Sequence, residues 1–279
     1  MLVKEDTVVK ATFGLSFADK NLEEIIRDKI NKVEGLIFPE DLKGIKKLTV
    51  KNRNISSLAG IEYLPNLTNI YFENCTIENF NSLTQSWSSL KKISLVNTTL
   101  TSFAGIDKIN NLSNLRIGQS VVGNWAQLKG LKSLTHLQIS DTAIADPNFL
   151  TELTAVKELK LFSNNLTTLK HLNKMIALEE VYITDNEISR LNDLSQLDNL
   201  AVLYIEECGL EDITTLKNLT TVEWFSLSNN KISDISSFSD LITKNDLKAK
   251  WVYLDGNTLN DKADEIINQL ENKNIYVKR

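Results

Sequence analysis

Ten times along this chain a phrase close to LxxLxLxxNxL returns, and its spacing limits the possible folds more than any other property of the sequence. The copies begin at Ile45, Leu67, Leu90, Leu112, Leu134, Val156, Leu178, Leu200, Val222 and Ala249. Start to start is 22 residues, except for a 23-residue step from Leu67 to Leu90 and a 27-residue step from Val222 to Ala249. In a clear copy, Leu178-Glu-Glu-Val181-Tyr-Ile183-Thr-Asp-Asn186-Glu-Ile188, the alternation around Val181 and Ile183 is that of a short strand with one buried face. Beyond it stand apolar residues three apart, such as Leu58, Ile61 and Leu64, or Leu191, Leu194 and Leu197. That spacing suits a tight helical or 3₁₀ return.

A fixed period in the twenties with this pattern marks leucine-rich repeats. No unit of 22 residues can bury its own apolar face, whereas stacked neighbours share one continuous core. The sequence therefore predicts an α/β leucine-rich-repeat solenoid, a curved right-handed horseshoe with parallel strands on the concave face and short 3₁₀ or helical returns on the convex face. An apolar content of 42% supplies the core, and three prolines and ten glycines leave no collagen-like or low-complexity stretch. No run reaches the roughly 18 apolar residues that cross a bilayer, so no membrane insertion is expected. The net charge of −5 disfavours nucleic acid, whose binding relies on clustered Lys and Arg.

Open solenoids need their ends closed. Asp19 is an N-cap candidate ahead of Leu22, Ile25, Ile26, Ile30 and Val33 at helical spacing, with Glu23 and Glu24 suited to a first turn. At the other end Ala263, Ile266, Ile267 and Leu270 share one helical face and Ile275 and Val277 alternate, predicting a helix and then a last strand. The expected organisation is one continuous domain: residues 1–44 as N-terminal segment and helical cap, 45–259 as ten repeats, and 260–279 as C-terminal cap.

The 22-residue unit of SDS22 type, the cap FADKNLEEIIRDKI and the phrase NISSLAGIEYLPNLTNI resemble the internalins, bacterial surface proteins that bind host proteins, over about Phe17 to Tyr276. The resemblance implies a non-enzymatic recognition module for adhesion, invasion or virulence, secreted or held at the bacterial cell surface. The opening MLVKEDTVVK lacks the apolar core of a secretory signal. A cytoplasmic scaffold resembling the SDS22-like phosphatase regulatory subunits is thus the alternative reading.

Chemistry-bearing residues are sparse. Cys75 and Cys208 both replace the motif asparagine and stand six repeats apart, roughly 29 Å at one strand spacing per repeat, which excludes a disulfide between them. There is no CxxC pair, no phosphate-binding glycine loop and no GxSxG elbow. His136 and His171 have no matching ligand cluster. No catalytic residue, metal site or cofactor is assigned.

The positions two, four, six and seven after each start should face outward from the strands. In the N-terminal half they hold a sparse, basic set, Lys47, Lys51, Tyr71, Lys92 and Arg116; in the C-terminal half they hold Glu158, Phe162, Glu180, Tyr182, Asp185, Tyr204, Glu206, Glu207, Trp224, Trp251, Tyr253 and Asp255. Solvent-facing Trp and Tyr are seldom needed for folding but are enriched among interface anchors. The expected protein-binding surface is therefore Phe162, Glu180, Tyr182, Tyr204, Glu206, Trp224, Trp251 and Tyr253, with Tyr182, Tyr204 and Trp224 in one lane. Tyr71, Arg116 and His136 are secondary contacts. The carboxylates favour a partner with a basic patch, taken as a host surface protein gripped by a monomer. The competing reading is that the aromatics stabilise the sheet, with Trp251 and Tyr253 packed beneath the C-terminal cap. Trp87 and Trp125 are expected in the core.

Overall fold

In a computed structural model, residues 14–83, 86–191, 194, 196–243 and 247–279 are described. Residues 1–13 of the expected N-terminal segment and residues 244–246 of the 27-residue step lie outside the described residues.

The repeats stack into one parallel sheet of eleven strands in unbroken sequence order. They are β1 (Lys47–Lys51), β2 (Asn69–Glu73), β3 (Lys92–Val96), β4 (Asn114–Gly118), β5 (His136–Ser140), β6 (Glu158–Phe162), β7 (Glu180–Thr184), β8 (Val202–Glu206), β9 (Trp224–Ser226), β10 (Trp251–Tyr253) and β11 (Tyr276–Lys278). Pairing joins equivalent residues of successive repeats, for example Val181 with Leu203 and Ile183 with Ile205. That register follows from alternation, because a one-residue slip would turn every buried Leu, Ile and Val to solvent. Leu178, Val181 and Ile183 are fully buried, and so are their counterparts Leu200, Leu203 and Ile205.

The convex side carries the apolar residues spaced by three in 3₁₀ turns such as Ile61–Tyr63, Ile106–Lys108 and Thr214–Asn218. The phrase Leu58-Ala-Gly-Ile61 now has a physical reason, best seen in its later copy. Gly105 has φ +83°, and a Cβ there would lie 2.6 Å from the Phe80 carbonyl group. Phe80, Phe103, Trp125 and Phe149 form a ring stack behind the sheet with centroids 6.5, 6.1 and 5.4 Å apart. Trp87 and Trp125 are buried, as expected. In the long step the helix α3 (Ser236–Thr243) takes the place of a 3₁₀ turn and sets Phe238 edge-on against Phe225 at 5.4 Å.

At the N-terminal end the helix is α1 (Lys20–Ile30), with Asp19 as its N-cap accepting the Leu22 N–H at 3.0 Å. The other oxygen of Asp19 accepts from the Ser56 N–H and hydroxyl at 2.8 Å each, tying cap to first repeat. Burial pushes this carboxyl upward, but the hydrogen bonds from Leu22 and Ser56 hold it below the ordinary aspartate value. Val33 departs from the expectation: Asn31 adopts φ 52° and ends the helix, leaving Val33 89% exposed. A four-residue helix, α2 (Pro39–Leu42), follows. At the far end α4 (Ala263–Glu271) buries Ala263, Ile266, Ile267 and Leu270.

The motif asparagine works between repeats. Asn230 Oδ1 accepts the N–H groups of Cys208 and Leu210 at 3.0 Å each, and its amide nitrogen donates to the Ile205 carbonyl at 2.8 Å. Cys75 and Cys208 are free and buried in the equivalent place. The Cys208 thiol reaches the carbonyls of Ile183 at 3.7 Å and Glu206 at 3.1 Å, imitating the amide donor weakly, and burial pushes it up to about 11.

Candidate functional site

Strand register arranges the outward side chains of the C-terminal half as two parallel lanes. The first runs Glu158, Glu180, Val202, Trp224, Trp251, Tyr276. The second runs Lys160, Tyr182, Tyr204, Ser226, Tyr253, Lys278. This corrects the expectation of a single lane through Tyr182, Tyr204 and Trp224. Trp224 stands two residues earlier in its strand than the position opposite Tyr204, which Ser226 occupies. Both positions face outward because alternation has period two, so the sequence pattern alone does not separate them.

The aromatics accordingly gather in two groups. Tyr182 and Tyr204 lie with ring centroids 5.8 Å apart and planes tilted by 40°. The Tyr182 hydroxyl donates to Glu180 at 2.8 Å and the Tyr204 hydroxyl to Glu206 at 2.5 Å, while the Ser226 hydroxyl donates to the other oxygen of Glu206. The ammonium of Lys160 sits 4.8 Å from the Tyr182 ring centroid. Burial first, and the hydrogen bond to Glu180 second, push the Tyr182 phenol up to about 12. Tyr204 is raised for the same reasons, burial and then Glu206. Glu180 and Glu206 thus orient the tyrosine rings.

The second group is larger and more open. Trp224 lies against Trp251 at 5.2 Å with planes tilted by 34° and stacks on Tyr253 at 5.6 Å, the latter rings nearly parallel at 13°, and Tyr253 meets Tyr276 at 5.9 Å. Trp224 and Trp251 are each 37% exposed and Tyr276 is 55% exposed. Trp251 and Tyr253 therefore stand on the concave face beside Trp224 rather than beneath the cap. Asp255 borders the group, accepting from the Ser228 hydroxyl at 2.7 Å and pairing with Lys278 at 3.1 Å. The Ser228 hydrogen bond holds its carboxyl low against the opposing effect of burial, with Lys278 adding to the lowering. Tyr276 was not among the expected contacts. The alternation Ile275-Tyr276-Val277 that placed its neighbours inside could have placed it outside.

The remaining residues stand apart. Phe162 is half-buried on β6 opposite Ser140 and Thr184, and no aromatic ring contact joins it to either group among the described residues. Tyr71 lies far up the sheet on β2, its hydroxyl accepting from the Asn69 amide at 3.2 Å. Arg116 and His136 are exposed on β4 and β5, with His136 Nε2 3.5 Å from Glu158. His171 is buried on the convex side, and burial lowers its basicity. Among the described residues no group of three His, Cys, Asp or Glu side chains could hold a metal ion, and no helix is long and apolar enough to cross a membrane.

This architecture is that of a leucine-rich-repeat solenoid. No protein-family model and no curated protein matches the chain. Among solved structures it is similar to an internalin (inlF) from Listeria monocytogenes, at 24% identity and a TM-score of 0.59, covering 94% of this chain and 88% of that one. A leucine-rich-repeat protein of Leptospira interrogans is similar at 22% identity and a TM-score of 0.69, over 86% of this chain and 62% of that one. An internalin C2 from Listeria monocytogenes is similar at 22% identity and a TM-score of 0.56, over 88% and 94% of the two chains. The chain shares the internalin fold.

Proposed function

We propose that the protein is a non-enzymatic recognition module of internalin kind, which grips a protein partner on its concave face. The observation that carries this is the open group of Trp224, Trp251, Tyr253 and Tyr276 on strands whose core residues lie on the opposite face. Such rings anchor interfaces because each buries a large area at little entropic cost and keeps a polar edge. Asp185, Glu206, Glu207 and Asp255 stand on the side of the same half where the strands end, and a basic patch on the partner complements them. By likeness of fold to the two internalins, the partner is a host surface protein and the module acts as a monomer, secreted or at the bacterial surface, in adhesion or invasion. An export reporter fused to the natural gene tests the location, and sedimentation tests the monomer.

The test of the site is capture from host-cell surface extract by wild type, Trp224→Ala with Tyr253→Ala, and Tyr71→Ala in parallel. The double variant should lose capture of any protein that wild type retains, while Tyr71→Ala keeps it. Equal capture by the double variant, with unchanged thermal unfolding, would remove the concave aromatics from the function.

A further inference from the structure

Between the two ends of the concave face lies a small basic field that shares only Lys160 with the tyrosine pair. Lys92 on β3, Arg116 on β4, His136 on β5 and Lys160 on β6 surround a shallow cleft whose floor includes the amides of Asn114 and Gln138. Four adjacent strands carry these groups, three strand spacings or roughly 14 Å from first to last. Glu158 reaches into the cleft from one side, ion-paired with Lys160 and 3.5 Å from His136. Neither Arg116 nor Lys92 has a carboxylate within salt-bridge reach among the described residues. Arg116 is exposed, with Ser94 and Gln138 as its neighbours along the lane.

We infer that this cleft is a second recognition site, which takes a carboxylate-bearing segment of the protein partner; the inference rests on the reading of the concave face as a partner-binding surface. Glu158 shows the chemistry from within the chain, since a carboxylate already lies between Lys160 and His136. Arg116 and Lys92 supply the unfilled remainder of the same field, and a guanidinium fork matches a carboxylate through two parallel hydrogen bonds. The field is too short for a polyanion. A nucleic acid or long sulfated glycan needs cations continued along its track, whereas here the uncharged Asn69 and Tyr71 stand beside Lys92 and Ser94 on one side and Glu158 and Glu180 close the other. Two or three clustered carboxylates fit.

The consequence for the partner is a dipolar footprint. From Arg116 on β4 to Trp224 on β9 is five strand spacings, roughly 24 Å. A partner held at both places presents acidic groups to the centre of the curve and basic groups to its aromatic end, and is as wide as a small folded domain.

The test uses a fluorescently labelled peptide of alternating glutamate and glycine, read by anisotropy at low salt against the intact chain. The Lys92→Glu, Arg116→Glu double variant should lose about tenfold or more of the affinity. Glu158→Gln should gain, because it removes the internal competitor, and the convex control Lys129→Glu should not change. All variants alter half-buried or exposed side chains, so thermal unfolding confirms that each is folded. Equal binding by the double variant, or a loss on Glu158→Gln, overturns the site. Tighter binding of a heparin fragment than of the peptide at equal charge overturns the assignment to a protein carboxylate. Because the probe is not the natural partner, failure here leaves the aromatic capture result standing, and failure there leaves this one.

Discussion

The two halves of the solenoid close their turns differently, and the contrast also divides the concave face. In the N-terminal half the motif asparagine is replaced by Arg53, Cys75, Thr98, Ser120 and Thr142; in the C-terminal half it is Asn164, Asn186, Asn230 and Asn257, with Cys208 the exception. A hydroxyl has one proton to give and a short reach, and so the Ser120 hydroxyl accepts the Thr98 N–H at 3.1 Å and donates to the Gly118 carbonyl at 2.8 Å. An amide has two protons and a longer reach. Asn186 therefore receives two backbone N–H groups and donates to the carbonyls of Leu161 and Thr184. Beside Arg53, Cys75, Thr98 and Ser120, though not beside Thr142, the backbone also pairs with itself as a ladder. Asn54–Ile55, Thr76–Ile77, Thr99–Leu100 and Val121–Val122 form a second, four-stranded sheet found beside the N-terminal repeats. The lesson is that buried backbone groups are satisfied by whichever partner the local side chain leaves available.

The largest test of this contrast is Asn230→Ala. It strands the buried Cys208 and Leu210 N–H groups and should cost about 3 kcal/mol in denaturant unfolding. Thr142→Val strands one buried N–H, that of Ser120, and takes the hydroxyl donor from the part-buried Ser140 carbonyl, and should cost about half as much. Equal losses would mean that the two ladders are energetically alike.

Next in size is recognition. Trp224→Ala with Tyr253→Ala should weaken partner binding by roughly thirtyfold or more, measured by titration with the purified partner, because truncated anchors cost about 2 kcal/mol. Tyr71→Ala, the isolated aromatic of the N-terminal half, should change it little.

Alkaline pH provides a third handle, confined to the C-terminal half. The Tyr182 phenol is raised from 10.0 to about 12 by burial and by Glu180. A raised acid is neutral in the fold after it has ionised in the unfolded chain, so its contribution is complete below about pH 10 and is lost as pH rises toward 12. Urea midpoints should fall across that window in wild type and fall less in Tyr182→Phe. Parallel curves would show that burial and Glu180 together do not raise this phenol.

The smallest effect concerns the left-handed residue after each strand. Asn52, Asn74 and Asn97 hold it at φ 53°, 54° and 47° and link their amides from repeat to repeat at 3.0 and 2.7 Å. Glu207 holds the same position at φ 54°. Glutamate tolerates this region less well than asparagine, so Glu207→Asn should stabilise by about 1 kcal/mol, read as a rise in melting temperature, and Asn74→Glu should do the reverse.

Much of the solenoid can be read from spacing. The 22-residue step and the LxLxx alternation specify strands that stack in register, because only that register buries Leu178, Val181, Ile183 and their equivalents together. The helical caps were legible from Asp19 and from Ala263 to Leu270 for the same reason, periodicity against one buried face. Val33 was misread because a single left-handed Asn31 ends α1, and a pattern of apolar residues does not report a backbone angle.

For the concave face the sequence determined which side chains point outward, and that much follows from a period of two. Which of them touch was decided only by the tertiary structure. Trp224 joins Trp251, Tyr253 and Tyr276 rather than Tyr204, and Lys92, Arg116, His136 and Lys160 converge on one cleft. Contacts across a parallel sheet join residues one repeat apart in sequence, and lane, tilt and hydrogen-bond partner are set by the neighbouring strand.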